Sequence, residues 1–502
     1  MQQLGVDYTE LAGLGIGTAL EYLYDATPPP PVSRSAPLAS IATSAPAGDG
    51  VDHISRLPDE VLKNVVSRLP AKDAALTATL AARWRGLWRR APLAVVDAHI
   101  LPDGMAAVRM APGGDDPSSM LVAAAASRVL AAHPGPFRCA HLTMSHMASR
   151  QAEAARWLKL LADKGVQELA FINRPWPLDL PLPAEFFGCA ASLTRLHLGV
   201  WRFPSTASLP RSARFVHLKE LVLSLIVMGD RDLQFLIDRS PVLEILTIIS
   251  SQIPVRLRLI SHTLRCVQLG ICALADLAVV DAPRLERLLM LMIMNPNKCS
   301  RIKIGHAPNL RMLGYWQPAD HELEIGNTVI KVGTRVSPST IARNVKILAL
   351  EVQFEVCNDV KKLPCFLKCF PNVETLHIYS QNVEKSTGKL NLKFWQEAGH
   401  IECVQSHMRK FVFEEFRGKS SELSLLKFIA ETAQVLEKMV VVVTCESFSS
   451  ADDVKANLKP LTSAKWANEG SDFSWADPFD LMAADAEHRG GAIVLHHSSC
   501  TP

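Results

Sequence analysis

Between residues 52 and 92 the chain reads DHISRLPDEVLKNVVSRLPAKDAALTATLAARWRGLWRRAP, and its apolar positions fall at helical intervals. Val61, Leu62, Val65, Val66 and Leu69 share one face, with Asp59, Lys63, Asn64 and Arg68 elsewhere, which predicts a helix opened by Pro58 and closed by Pro70. Proline suits a helix start because its missing N–H would be unpaired there, and Asp59 and Glu60 complement the positive end of the helix dipole. A second helix is expected from about Lys72 and Asp73, carrying Leu76 and Leu80, and a third carries Trp84, Leu87 and Trp88 up to Pro92. Three short helices in about forty residues make too thin a core to stand alone, so a partner surface is expected to cover part of their apolar faces.

A different rhythm follows. An L-x-x-L-x-L-like unit recurs as LTRLHL at 193, LKELVL at 218, LEILTI at 243, LRCVQL at 264, LERLLM at 285, LRMLGY at 310, VKILAL at 345, VETLHI at 373 and MRKFVF at 408. The starts are 25, 25, 21, 21, 25, 35, 28 and 35 residues apart, within or near the leucine-rich-repeat range. Each unit is expected to give one short strand, with neighbours stacking because none can bury its apolar face alone. A turn-forming proline precedes several strands in phase, as in SPVLEIL, DAPRLERL, HAPNLRML and FPNVETL. Of the nine units only the one at Leu264 has the consensus Asn or Cys in place, as Cys272, so an irregular arc is expected. The long gap after Leu310 holds HELEIGNTVIKV, whose alternation and Gly-Asn turn predict extra strands.

The motif order D-x-I-S-x-L-P-D-E-V-L, S-x-L-P-x-K-D-A, T-x-x-L-x-x-R-W-R-x-L-W over residues 52 to 88 resembles the plant F-box. The resemblance implies docking to the Skp adaptor of a cullin-RING ubiquitin ligase, with the repeats recruiting a protein substrate and the chain itself doing no catalysis. It carries the adaptor contacts onto Leu57, Pro58, Leu62, Val66, Leu69, Asp73, Ala74, Leu80, Arg83 and Trp84. Val61, Val65, Leu76 and Leu87 are read instead as the module's own packing, since a periodic apolar position is core by default. The alternative is a non-degradative interaction scaffold built on the repeat surface. HMRKFVFEEFRGKSSELSLLKFIAETAQVLEKMVVVV, residues 407 to 443, is similar to the FBD extension of plant F-box proteins. It reads as strand, Arg-Gly-Lys turn, helix with Leu425, Phe428, Ile429 and Leu436 on one face, and strand, a unit fit to cap a solenoid end.

The fold class expected is α/β: a small three-helix module, an irregular leucine-rich-repeat solenoid and an α/β cap. The boundaries are a flexible N-terminal segment at 1–50, rich in Pro, Ala, Ser and Gly over 26–50, the helical module at 51–92, a connector at 93–136, repeats at 137–402, the cap at 403–445 and a polar, loosely ordered tail at 446–502. Specificity is expected from exposed repeat positions such as His197, Lys219, Glu220, Arg265, Arg287 and Arg311.

Composition narrows the chemistry. With 53 basic and 50 acidic residues among 502, net charge +3, nothing argues for nucleic acid or a membrane surface. The run Arg83, Arg85, Arg89, Arg90 lies on the third helix without interleaved exposed aromatics and reads as a helix rim. Eleven cysteines without a C-x-x-C pair point to reduced, mostly buried thiols of the cytoplasm or nucleus. No apolar run approaches the roughly 20 residues of a transmembrane helix, and no signal or transit peptide is recognised at the start. GLGIG at 13–17 lacks the context of a nucleotide loop, and Cys365 with Cys369 lacks a second ligand pair for zinc. His496 and His497 have no partner cluster, and neither a G-x-S-x-G elbow nor an H-E-x-x-H helix occurs. No cofactor and no metal are expected.

Overall fold

The structure, a computed structural model, describes residues 54–100, 117–174, 177–210, 213–251, 253–291, 300–318, 321–326, 328–330, 341–383, 386–444 and 447–476, together with Leu23 and Val32. The chain divides into two compact units, Met1–Ile253 and Pro254–Pro502. GLGIG, the terminal histidine pair and Cys299, Cys445 and Cys500 lie outside the described residues.

The first unit opens with the three helices α1 (Asp59–Ser67), α2 (Ala71–Thr77) and α3 (Ala82–Arg90). Pro58 and Pro70 occupy the N-cap positions of α1 and α2, one residue earlier than the sequence pattern placed Pro58, and the Pro58 carbonyl accepts from the amides of Val61 and Leu62. Leu80 lies beyond α2, in the turn that follows it. The sheet then begins inside the expected connector. Strand β1 (Leu93–Val96) pairs in parallel with β2 (Phe137–Leu142), and α4 (Pro117–Ala132) lies between them in sequence. Helix α5 (Gln151–Asp163) leads to β3 (Glu168–Ile172), followed by β4 (Arg195–Gly199), β5 (Glu220–Ser224), α6 (Asp230–Asp238) and β6 (Ile245–Ile249). These six strands form one parallel ladder in sequence order. Leu196, Leu198, Leu221, Leu223, Leu246 and Ile248 alternate into the core, and α5 buries Trp157, Leu158 and Leu161.

A repeated backbone device closes these strands. Val200, Leu225 and Ser250, the residues directly after β4, β5 and β6, all have left-handed φ between 52° and 59°. The Val200 amide then donates to the Ser224 carbonyl at 3.0 Å, and the Leu225 amide to the Ile249 carbonyl at 2.9 Å. A left-handed residue with a side chain costs about 1–2 kcal/mol. Full burial of Val200 and near-full burial of Leu225 offset that at about 1.5–3 kcal/mol each.

The second unit carries two sheets. Strands β8 (Cys266–Gly270), β10 (Arg287–Leu291), β12 (Met312–Trp316), β15 (Ile347–Val352), β16 (Thr375–Ser380), β17 (Lys410–Phe416), β18 (Lys438–Val443) and β19 (Asp472–Ala476) form a parallel ladder. In its first repeats the return segments are strands rather than helices. Thus β7 (Val255–Ile260), β9 (Leu274–Asp281), β11 (Ser300–His306) and β13 (His321–Ile325) build a second parallel sheet, edged by the antiparallel β14 (Thr328–Ile330). The hairpin of β13 and β14 is the extra pair expected from HELEIGNTVIKV, with Gly326 at φ 62° in its turn.

In the last part of this unit, α7 (Ser420–Thr432) connects β17 to β18 and buries Leu425, Phe428 and Ile429; Leu436 is buried too, but beyond the helix end. The expected loose tail over 446–502 is corrected here over its described residues, 447–476. Residues 451–462 form α8 (Ala451–Thr462), which buries Val454, Leu458 and Leu461, and β19 pairs in register with β18. The segment's polarity masks Val454, Leu458 and Leu461, which recur at i, i+4 and i+7 and make a helix face sufficient for packing.

Candidate functional site

The three-helix module carries its apolar residues on two sides. Leu62 and Val66 from α1, Ala74 from α2, and Trp84 and Leu87 from α3 are buried and form its interior. On the outside, Ile54 is 58% exposed, Leu57 37%, Val61 44%, Val65 41%, Leu76 55% and Leu80 67%. Val61 and Val65 lie one turn apart on α1 with Leu57 just before the helix, and Leu76 on α2 is followed by Leu80 in the turn beyond it, giving two short exposed aliphatic stripes. Isolated surface aliphatics need no explanation, but six within 27 residues on so small a module constitute a patch.

This placement revises the sequence reading residue by residue. Leu62, Val66, Ala74 and Trp84, expected at the adaptor, point inward, because with Leu87 they close the thin core among the three helices. Val61, Val65 and Leu76, expected inside, are outside; Leu87 is buried as expected. Leu57, Pro58, Asp73, Leu80 and Arg83 are exposed and Leu69 is half-buried. A helical stripe of five apolar residues has two edges, and spacing alone does not say which edge the other helices cover.

Arg83 acts within the module. Its guanidinium donates to the Leu57 carbonyl at 2.6 Å and to Asp59 Oδ1 at 2.7 and 2.9 Å, tying α3 to the start of α1. Those hydrogen bonds hold the Asp59 carboxyl below the usual range, with further help from the charges of Arg83, Arg90 and Lys63. The chain entering α1, with Leu57 and Pro58 on it, is thereby fixed.

The module is also joined to the first strands of its own unit. Pro70 bridges to Ala94, and Arg138 donates to the Ser67 carbonyl at 3.3 Å. His133 packs its ring edge-on against Trp88 at 5.2 Å, contacts Phe137 at 5.3 Å and hydrogen-bonds the Ala91 carbonyl at 3.1 Å. Gly135 is required at this junction, since a Cβ there would lie 2.5 Å from the Arg89 carbonyl oxygen. Asp97, fully buried just past β1, accepts from the amides of Thr143 and Met144 at 2.7 Å each, while desolvation pushes its pKa up to about 6. The three helices and the first repeat strands are thus joined by packing and hydrogen bonds.

Among the expected specificity positions, Lys219, Arg265 and Arg311 are exposed, Glu220 and Arg287 half-exposed, and His197 is buried. Arg265 instead forms a bidentate pair with Glu286 at 2.9 and 3.2 Å. His197 reaches Ser224 Oγ at 3.3 Å, and burial lowers its pKa to about 3. Cys369 is buried and its thiol donates to the Cys365 carbonyl at 3.3 Å; among the described residues no group of three metal-ligating side chains is gathered. No helix among the described residues is long and apolar enough to cross a membrane.

Comparison with known protein families matches the F-box domain at residues 54–95, the leucine-rich repeats of the FBD-associated F-box protein At5g56370 at 154–378, and the FBD at 396–441. Among Arabidopsis thaliana proteins, the F-box/FBD/LRR-repeat protein At5g22660 is 25% identical over 79% of this chain and 91% of its own length. F-box/LRR-repeat protein 13 is 24% identical over the same shares, and F-box protein At3g60790 is 44% identical over 13% of this chain and 14% of its own. With the helical module, the parallel repeat strands and the closing strand-helix-strand unit in the order of these three matches, the chain carries an F-box domain, leucine-rich repeats and an FBD, in that order.

Proposed function

We propose that this chain is the substrate-recognition subunit of a Skp-cullin-F-box ubiquitin ligase, docking to a Skp-type adaptor with its exposed F-box stripes and bringing a protein substrate on its repeats. An F-box domain implies adaptor binding and leucine-rich repeats imply protein interaction. The observation that carries the reading is the pair of stripes, Leu57-Val61-Val65 and Leu76-Leu80, left exposed by a module whose interior is already filled. Pro58 belongs to the same surface, with Arg83 as its positioning residue.

In this role the chain supplies proximity: it holds the substrate near a conjugating enzyme carried by other subunits, raising its effective concentration. The rigid joint at His133 and Trp88 serves that purpose, because a floppy link would dilute the gain. Compartments that keep thiols reduced, the cytoplasm or nucleus, suit the buried free cysteines.

The test is affinity capture under proteasome inhibition, comparing the intact chain with one lacking residues 52–92. Recovery of adaptor and cullin with the intact chain alone, and accumulation of a common captured protein only there, supports the reading. Adaptor capture without any stabilised protein favours the non-degradative scaffold, and no adaptor capture by a folded chain overturns the ligase reading and leaves the repeat-surface scaffold.

A further inference from the structure

The first unit's sheet has a second face, opposite the leucine core. Strand register places Ala94 and Val96, Cys139 and His141, Ala170 and Ile172, His197 and Gly199, and Val222 and Ser224 on it. This is the face a repeat receptor offers to partners, yet beyond its open edge at Glu168, Arg195 and Glu220 it is closed to solvent: His141, His197, Val222 and Ser224 are all buried.

Two residues from far outside the repeats pack there. Leu23, set in a helical turn and fully buried, clusters with Ile172, Leu178, Val200 and Leu225. Val32, 3% exposed, clusters with Ala94, Val96 and Cys139, with Ala98 against it. The expectation of a flexible segment over 1–50 is therefore corrected at both described positions, since each side chain is removed from water as completely as a core residue.

Two features of the repeats are shaped to this contact. A Cβ on Gly199 would lie 2.9 Å from Ile172 Cγ2 and 3.0 Å from Leu23 Cδ1, closer than such atoms normally approach, so the missing side chain makes room for both. Val200 and Leu225 would alternate into the core if their strands ran on; their left-handed backbones instead accompany their grouping with Ile172 around Leu23. The anchors are nine residues apart, about 30 Å of extended chain, against about 10–15 Å for the two to three strand spacings between their clusters.

We propose that this face is a peptide-binding groove that the chain itself occupies through Leu23 and Val32, so that an outside partner reaches the part they cover only by displacing them. The proposal rests on the repeat-surface half of the function proposed above and is independent of adaptor docking.

The test uses the full chain and a fluorescent synthetic peptide of residues 18–36. The full chain bearing Leu23→Asp and Val32→Asp should bind that peptide at least about tenfold more tightly than the unaltered chain, because its groove is vacated. A peptide bearing the same two substitutions should bind the altered chain at least about tenfold more weakly. Equal binding by the two chains, equal binding by the two peptides, or no binding to the altered chain overturns the proposal. Photo-leucine at position 23 of the otherwise unaltered chain gives a readout that no folding defect can mimic. Crosslinks to Ile172, Leu178, Val200 or Leu225 support the groove, and crosslinks only elsewhere refute it. None of these measurements contains the adaptor, so their failure leaves the docking of the F-box standing.

Discussion

Leu62 and Leu80 are both aliphatic residues of the F-box that the family pattern assigns to the adaptor, and the structure separates them. Leu62 is wholly buried, so no further area remains for a partner to cover. Leu62→Ala should cost about 2–5 kcal/mol of stability, the range for a buried leucine, in a module whose core has few other members. Leu80 is 67% exposed. Full burial of a leucine side chain is worth about 1.5–3 kcal/mol, so about two-thirds of that, 1–2 kcal/mol, is still available to binding. Leu80→Ala should therefore weaken adaptor binding by about tenfold, at about 1.4 kcal/mol per tenfold, while leaving the melting temperature unchanged. The assay is a pair of measurements on each variant: calorimetric titration with a Skp-type adaptor, and thermal unfolding of the chain alone. Leu62→Ala should lower the melting temperature yet keep the affinity of the folded fraction. If Leu80→Ala binds normally and Leu62→Ala loses affinity while still folded, the assignment of the exposed stripes is refuted.

Arg83→Ala removes the hydrogen bonds to the Leu57 carbonyl and Asp59, so adaptor affinity should fall severalfold while thermal stability changes little, measured by the same pair of assays. Asp97, raised to about 6 by burial, favours folding in its protonated form, so its contribution is present below about pH 4 and lost as pH rises through 6. At about 1.4 kcal/mol per pKa unit, the unaltered chain should lose about 3 kcal/mol between pH 4 and pH 7 relative to Asp97→Asn, read from urea midpoints. Truncation after residue 446 removes α8 and β19 and uncovers β18 as an edge, so the second unit should melt earlier and aggregate more readily; unchanged melting would show that the expected tail boundary was right after all.

The repeat strands were largely legible in the sequence. All nine units found by leucine spacing are strands, each beginning two residues after the unit starts, as with LKELVL at 218 and β5 at Glu220. The strands outside those units were not legible in the same way: LAVV in β1 is a four-residue apolar run, which periodicity alone cannot assign, β2, β7, β9, β11 and β19 begin outside the repeated unit, and VQELAF at 166 fits it ahead of β3 without being among the nine. The exchange of roles between Leu62 and Val61 was hidden for a related reason. Adjacent apolar residues of one helix differ by about 100° in direction, and tertiary packing decides which is covered. Leu23 and Val32 were unreadable because a proline- and alanine-rich composition describes the segment's average and not its two anchors.

The most direct measurement is the binding of the purified, folded chain to a purified Skp-type adaptor, beside the double variant Val61→Asp, Leu80→Asp, with circular dichroism showing that both are folded. The account predicts one-to-one binding with a negative heat-capacity change from apolar burial, abolished in the double variant. A folded chain that fails to bind, or a double variant that binds as well as the original, would contradict it.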